Sequence, residues 1–236
     1  GLLAVDESTP TIGKRLAGIN MENTEENRQA YRGMLFTTEG LGKYISGAIL
    51  FEETLYQNHI DGETMISKLD KLGIIPGIKV DKGLSPLAGA NKVETWCKGL
   101  EGLAEKTEEY YESGDRFAKW RAVITIGKNI PTTACIDANA HALARYAGLC
   151  QEAGIVPMVE PEVLMDADNT IDLCYNITEK TLSSLFSTLK NQNVSIAHTI
   201  LKTNMVISGK QCPTQANVEE VAETTVQCLL KNGHPE

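Results

Sequence analysis

Charged side chains stand at or near the carboxyl ends of five apolar segments that the sequence predicts as strands. Three segments carry two charged residues spaced two apart, and two segments carry a single one: Lys79 and Asp81, Lys119 and Arg121, Glu160 and Glu162, Asp6, and Lys202. Successive side chains of a strand point to opposite faces, so both members of each pair are expected on the same face. The pattern predicts lysines and carboxylates that share one cavity.

Such a cavity suits chemistry on a carbonyl group. A lysine that is desolvated or lies beside a second cation loses its proton more readily, and its free amine attacks carbonyl carbon. Lys202 grouped with Lys119 and Lys79 would provide this amine. Two like charges on one face, as in Glu160 and Glu162, provide a candidate general acid or base. These are the parts of an enzyme that forms an imine with its substrate.

Other side chains are suited to a phosphorylated substrate. The guanidinium groups of Arg121, Arg28 and Arg15 offer paired donors, and the hydroxyls of Ser8 and Thr11 offer neutral donors. Any one charged residue at a strand end could simply be the solvated start of a loop. Five strands that end this way favour a shared functional site.

The elements that would position these residues alternate along the chain. Apolar runs rich in Ile and Val predict strands, and amphipathic stretches between them predict helices. The predicted strands are 1–5, 44–51, 74–80, 117–126, 154–159 and 196–201, and the predicted helices are 24–37, 99–113, 139–153, 178–192 and 217–232. This order predicts an α/β fold with a parallel sheet in one domain over residues 1–236. We favour a closed barrel over an open sheet, because a barrel mouth collects side chains from several strands.

Composition narrows the function further. The 236 residues carry a net charge of -9 and 42% hydrophobic residues, so we expect neither nucleic acid nor a membrane as partner. The start of the chain lacks the pattern of a signal peptide, which favours an intracellular protein. The six cysteines and four histidines are scattered without a metal-binding spacing, so we expect free thiols, no metal and no cofactor.

Several segments together resemble class I fructose-bisphosphate aldolase. They follow the family's order along almost the whole chain: Leu2-Leu3-Ala4-Val5-Asp6-Glu7-Ser8, Glu22 to Arg28, Gly47 to Tyr56, Gly77-Ile78-Lys79-Val80-Asp81-Lys82-Gly83, Phe117-Ala118-Lys119-Trp120-Arg121, Val156-Pro157-Met158-Val159-Glu160-Pro161-Glu162, and Leu201-Lys202-Thr203-Asn204-Met205-Val206. The resemblance implies a TIM barrel, a homotetramer, and the reversible cleavage of fructose 1,6-bisphosphate to dihydroxyacetone phosphate and glyceraldehyde 3-phosphate in glycolysis or gluconeogenesis.

The resemblance also implies roles for single residues. Lys202 matches the imine lysine, Glu160 the acid/base that dehydrates the carbinolamine, and Asp6 the carboxylate beside the substrate C4 hydroxyl. Lys119 would hold and polarise the substrate, and Glu162 would orient the lysines. The expected phosphate-binding residues are Lys79, Arg121, Ser8 and Thr11, with Arg15 and Arg28 also implicated in bisphosphate binding. The protonated imine itself serves as electron sink, so the resemblance implies no metal and no cofactor.

The chain departs from the family pattern in places. Thr203 stands where proline usually follows the lysine, and the sequence stops before the expected seventh and eighth strands. We therefore expect about six of the eight βα units, in a barrel domain that is incomplete at both ends. Two alternatives remain open: another imine-forming barrel such as a transaldolase, and a catalytically silent scaffold that binds anions. The family's members occur in the cytoplasm, which we expect here, and in the plastid stroma.

Overall fold

The computed structural model of this protein describes residues 1–232. Eight helices and eight strands are found in this part of the chain. The helices are α1 (Thr9–Ala17), α2 (Glu25–Phe36), α3 (Glu52–Leu55), α4 (Met65–Lys71), α5 (Leu103–Glu112), α6 (Thr133–Glu152), α7 (Ile171–Asn191) and α8 (Val218–Asn232). The strands are β1 (Leu2–Val5), β2 (Gly47–Leu50), β3 (Ile75–Lys79), β4 (Leu84–Pro86), β5 (Thr95–Cys97), β6 (Phe117–Ile124), β7 (Val156–Val163) and β8 (Ile200–Leu201).

The described chain divides into two compact units. The first contains residues 1–80, 105–119 and 153–155, and the second contains residues 81–104, 120–152 and 156–232. Strand β6 contributes its first three residues to the first unit and the remainder to the second. The prediction of one domain over residues 1–236 stays a prediction.

In the first unit, parallel strands follow one another in the order β1, β2, β3 and the start of β6. The register pairs Val5 with Leu50, Leu50 with Ile78, and Lys79 with Lys119. The four residues of β2 are all buried, as expected of a central parallel strand with both faces covered. This alignment brings the carboxyl ends of the strands to one edge, where Asp6 and Lys79 lie.

In the second unit, the strand order is β6, β7, β8, with β7 and β8 parallel. Long helices α6 and α7 cover these strands and bury a core that includes Trp120, Tyr146 and Leu185. A separate antiparallel hairpin of β4 and β5 follows β3. The repeated βα units confirm the predicted α/β class, and six of the strands belong to one sheet among the described residues.

Several predicted boundaries were wrong. The strand predicted at 44–51 begins only at Gly47, because a 3-10 turn, Leu41–Lys43, precedes it. The strand predicted at 196–201 shrinks to Ile200–Leu201 behind a second such turn, Ile196–His198. Conversely, β7 continues to Val163, so Glu160 and Glu162 lie within the strand.

The structure also contains elements that we did not predict. These are α1, α3, α4 and the β4–β5 hairpin. All six cysteines are free and buried, as expected. Among residues 1–232, no helix combines the length and apolar character needed to cross a bilayer.

Candidate active site

Lys202 and Glu160 form the central pair of the second unit. The register of β7 and β8 aligns Met158 with Ile200 and Val159 with Leu201, and the Lys202 backbone N–H donates to the Val159 carbonyl over 3.0 Å. Lys202 Nζ donates to Glu160 Oε1 over 2.5 Å. The lysine side chain is 40% exposed and the carboxylate side chain 6%. The amine can therefore meet a ligand while a buried carboxylate holds it.

Arg121 and Glu162 form a second ion pair in the same unit. The Arg121 Nε and Nη2 atoms both lie 2.5 Å from Glu162 Oε2. The Arg121 backbone N–H donates to Asp81 over 3.3 Å, and the Asp81 side chain is buried. Glu162 was expected to orient the lysines, but the structure pairs it with Arg121. Asp81 follows the strand predicted at 74–80, and the sequence predicts no role for it.

Asp6 and Lys119 form the corresponding pair of the first unit. Lys119 Nζ donates to Asp6 Oδ2 over 2.9 Å, and the side chains are only 5% and 12% exposed. Lys79 lies opposite Lys119 in the register of β3 and β6. Aligned residues of neighbouring strands point to the same face. Two cationic side chains and one carboxylate therefore share one face of this unit.

The hydroxyls of Ser8 and Thr11 lie together at the start of α1. Ser8 precedes the first residue of the helix, and the two hydroxyl oxygens are 3.0 Å apart. Arg15, on the last turn of α1, forms an ion pair with Glu7 and keeps 57% of its side chain exposed. This half-exposed cation and the two hydroxyls are accessible to an anion.

Arg28 is held in a different way. Its Nε and Nη2 atoms donate to both carboxylate oxygens of Glu53, over 2.9 and 2.5 Å, and Arg32 Nη1 donates to Glu53 Oε2 over 3.1 Å. The side chain of Arg32 is fully buried. The hydrogen bond from Arg28 lowers the pKa of Glu53, and burial lowers the pKa of Arg32. Arg28 therefore has a resident carboxylate partner where we had expected a substrate phosphate.

The predicted residues thus fall into two groups, each described within its own unit. The first unit holds Asp6, Lys79, Lys119, Ser8, Thr11, Arg15 and Arg28, and the second holds Arg121, Glu160, Glu162 and Lys202. No cluster of three or more metal-binding side chains occurs among residues 1–232. Glu53 and Arg32 were not predicted, although Glu53 lies on α3, three residues after the end of the buried strand β2, and its own segment supplied part of the resemblance.

Comparison with known proteins places these residues in a family. The family model described as class-I fructose-bisphosphate aldolase matches residues 1–235. A probable class 1 fructose-bisphosphate aldolase of Xanthomonas campestris is 62% identical over 229 residues, which are 97% of this chain and 68% of that relative. The chloroplastic fructose-bisphosphate aldolase 3 of Arabidopsis thaliana is 50% identical and covers 100% of this chain, which spans 60% of that relative.

A solved structure is similar over the same range. It is the fructose-bisphosphate aldolase of Plasmodium falciparum, in complex with TRAP and a small-molecule inhibitor. The match has a TM-score of 0.98 at 48% identity, and it covers 100% of this chain and 68% of that one. The fold is therefore that of an aldolase TIM barrel, over about two thirds of the neighbour's length.

Proposed function

This chain belongs to the class I fructose-bisphosphate aldolase family, and from that premise we propose that Lys202 forms a Schiff base with a phosphorylated ketose, which the enzyme then cleaves. The observation that carries the proposal is the contact between Lys202 and Glu160, in which a part-exposed amine lies 2.5 Å from a buried carboxylate. A nucleophile within hydrogen-bonding distance of an acid/base is the arrangement that imine formation needs.

The first step joins enzyme and substrate. The free amine of Lys202 attacks the C2 carbonyl of fructose 1,6-bisphosphate, and the oxygen takes up a proton to give a carbinolamine. Glu160 then donates a proton to the departing hydroxyl, so that water leaves and an iminium forms. The same carboxylate can take the proton back when the imine is hydrolysed. No metal is needed, because the iminium nitrogen accepts the electrons that the next step releases.

The second step breaks the C3–C4 bond. Asp6 accepts the proton of the C4 hydroxyl, the C4–O bond becomes a carbonyl, and the C3–C4 electron pair moves to the iminium. Glyceraldehyde 3-phosphate departs and an enamine remains on Lys202. Protonation at C3 and hydrolysis release dihydroxyacetone phosphate. Lys119, paired with Asp6 over 2.9 Å, would stabilise negative charge beside this carboxylate.

The phosphate groups require cations and neutral donors. Lys79, Arg121, Ser8 and Thr11 are proposed to hold the distal phosphate, and the half-exposed guanidinium of Arg15 is suited to approach a bisphosphate. The guanidinium of Arg28 already donates two hydrogen bonds to the carboxylate of Glu53. We therefore propose that Arg28 contributes to phosphate binding through the positive field it adds, with its bond to Glu53 intact.

The names of the relatives support the proposed location, and the family resemblance supports the proposed assembly. The similar proteins include a cytosolic and several chloroplastic aldolases of plants. We propose a homotetramer that acts on phosphorylated sugar in the cytoplasm, with the plastid stroma as the alternative location. Light scattering coupled to size-exclusion chromatography would test the assembly. A monomer at micromolar concentration would contradict the tetramer.

The direct test of the proposed function is to trap the imine. The chain is incubated with dihydroxyacetone phosphate and sodium borohydride, and peptide mass spectrometry locates the reduced adduct. The adduct is expected at Lys202 and should disappear in Lys202→Met. Lys210→Met is the matched control. Lys210 lies eight residues after Lys202, is exposed, and forms an ion pair with Asp166. It should retain the adduct.

Other outcomes separate the alternatives. A folded chain without an adduct would contradict the lyase and favour an anion-binding scaffold. An adduct that forms with fructose 6-phosphate but not with dihydroxyacetone phosphate would favour a transaldolase. Circular dichroism on the same sample establishes that the chain is folded.

A further inference from the structure

The backbone contacts between β7 and β8 end close to the proposed reaction centre. The Lys202 N–H bonds to the Val159 carbonyl, and β8 itself ends one residue earlier at Leu201. Alternate residues of a strand direct their backbone groups to opposite sides, so Val159, Pro161 and Val163 present theirs towards β8. Pro161 has no N–H to donate. The next donor on this side of β7 is therefore the N–H of Val163.

The side chain of Asn204 accepts a hydrogen bond from the Val163 N–H. Its Oδ1 atom accepts the Val163 N–H over 3.0 Å, at the residue that follows Glu162. Its Nδ2 atom donates to Thr178 Oγ1 over 3.1 Å and to the Met205 carbonyl over 3.0 Å. Thr178 lies on α7 and is 1% exposed. The amide therefore links the segment after Lys202 to both the end of β7 and a buried helical position.

We propose that Asn204 is a positioning residue, which fixes Lys202 against the carboxylates of β7 by continuing the β7–β8 contact past Pro161. The inference rests on the proposed function, since it concerns the lysine that would form the imine. Asn204 is two residues from Lys202, and its acceptor bond fixes the residue next to Glu162. A displacement of even about 1 Å at such a site can slow a reaction on the order of 100-fold.

The proposal requires the amide to act through geometry, with no contact to substrate. Loss of Asn204 should then lower the maximal rate of imine formation and leave the ligand concentration for half-maximal rate unchanged. A residue that served only the stability of the fold would change the folded fraction and leave the rate per folded molecule as it was. These two readouts distinguish positioning from general stabilisation.

The test measures borohydride trapping at Lys202 over a range of dihydroxyacetone phosphate concentrations, normalised to the folded fraction. Asn204→Ala should slow the maximal rate about 10- to 100-fold. Asn204→Asp keeps an oxygen for the Val163 N–H and should recover most of the rate. Thr178→Val removes the partner of Nδ2 and should slow trapping several-fold. Thr181→Val is its matched control, because Thr181 is also buried on α7 and its hydroxyl donates to the Ile177 carbonyl of its own helix.

The possible results are distinct. Maximal rates within twofold of the unmodified chain in Asn204→Ala would overturn the positioning role while the proposed function stands. Equal effects of Thr178→Val and Thr181→Val would overturn it as well. If Asn204→Ala does not fold, the threonine variants decide: slower trapping in Thr178→Val than in Thr181→Val supports the positioning role, and equal maximal rates overturn it. An unmodified, folded chain that never traps at Lys202 would overturn the proposed function, and this inference with it.

Discussion

Tyr146 of α6 and Met158 of β7 are joined by two hydrogen bonds through a single hydroxyl group. The Met158 N–H donates to the tyrosine oxygen over 3.1 Å, and the hydroxyl donates to the Met158 carbonyl over 3.3 Å. Both residues are buried, and Tyr146 also packs against Trp120 with ring centroids 5.5 Å apart. A side chain of the helix thereby provides hydrogen-bond partners for the backbone N–H and carbonyl of Met158, two residues before Glu160.

The first prediction concerns this hydroxyl. Tyr146→Phe leaves the Met158 N–H buried without a partner, which costs about 1 to 3 kcal/mol of the free energy of unfolding. The thermal midpoint should fall by about 2 to 4 °C for each kcal/mol. Tyr44→Phe is the control, since Tyr44 is 78% exposed. Equal midpoints for the two variants, measured by calorimetry, would contradict the role of the Tyr146 hydroxyl.

The second prediction concerns Glu53, which holds two arginines. Glu53→Gln leaves the fully buried Arg32 with a weaker partner, so we expect a loss of about 3 kcal/mol. The pKa of Glu53 is lowered in the folded chain. Its contribution is therefore complete above the unfolded value of about 4.3 and is lost as the pH falls through the lower folded value.

The corresponding measurement is chemical denaturation from pH 7 down to pH 3. The unmodified chain should lose stability below about pH 4.3 more steeply than Glu53→Gln does. Glu39→Gln, at an exposed position, should keep the steep profile. If Glu53→Gln and Glu39→Gln gave the same profile, the arginine pairs would not account for the acid sensitivity.

The third prediction concerns a carboxyl group that is buried without a hydrogen bond. Asp115 is fully buried, and neither carboxylate oxygen has a hydrogen-bond partner among the described residues. Burial raises its pKa to about 7, although Arg116 acts against the shift. Since the folded value lies above the unfolded one, stability should fall as the pH rises from about 4 to 7 and stay constant above that range.

Asp115→Asn removes the free-energy cost of burying an ionised carboxylate at this position. The variant should gain stability at pH 8, by up to about 4 kcal/mol if the whole shift is recovered, and its stability should depend less on pH between 4 and 7. Asp70→Asn is the control at an exposed position. A variant that is less stable than the unmodified chain at pH 8 would show that the charged carboxylate has a favourable partner.

The fourth prediction compares two glycines of the second unit. A Cβ atom at Gly209 would lie 2.1 Å from the Ala167 carbonyl oxygen, whereas one at Gly148 would meet nothing closer than 3.9 Å. Gly209→Ala should destabilise the chain by about 3 kcal/mol, because backbone must move. Gly148→Ala, within α6, should stabilise it by up to about 1 kcal/mol. Opposite signs in urea denaturation are the expected result.

Much of the fold could be predicted because the parallel strands are apolar and short. The segments around Ala48, Ile78 and Ala118 are continuously buried, and short apolar runs of this kind between turn or charged residues indicate the strands of a parallel sheet. The charged residues that follow them also marked the edge where the candidate site lies. The pair of Lys202 and Glu160 follows from the alignment of the neighbouring strands β7 and β8, whereas Asp6 and Lys119 come from β1 and β6, which are not adjacent in the sheet.

The rest depended on contacts between distant parts of the chain. Helix α6 begins six residues before the predicted position, and Thr132, just before it, bonds through its N–H and hydroxyl to Glu94, 38 residues earlier. The hairpin that carries Glu94 has strands of only three residues, too short to show a period. The pairing of Arg28 with Glu53 likewise joins residues 25 positions apart.

The distribution of cysteine and tryptophan determines which of the two units common spectroscopic and chemical probes can detect. All six buried thiols and both indoles belong to the second unit, which includes residues 81–104, 120–152 and 156–232. Tryptophan fluorescence, excited selectively over tyrosine, and thiol labelling will therefore report the opening of the second unit and give no signal from the first. Loosening around Asp6 or Arg32 would pass unseen by either probe, so its detection requires amide hydrogen exchange or a reporter placed there by design.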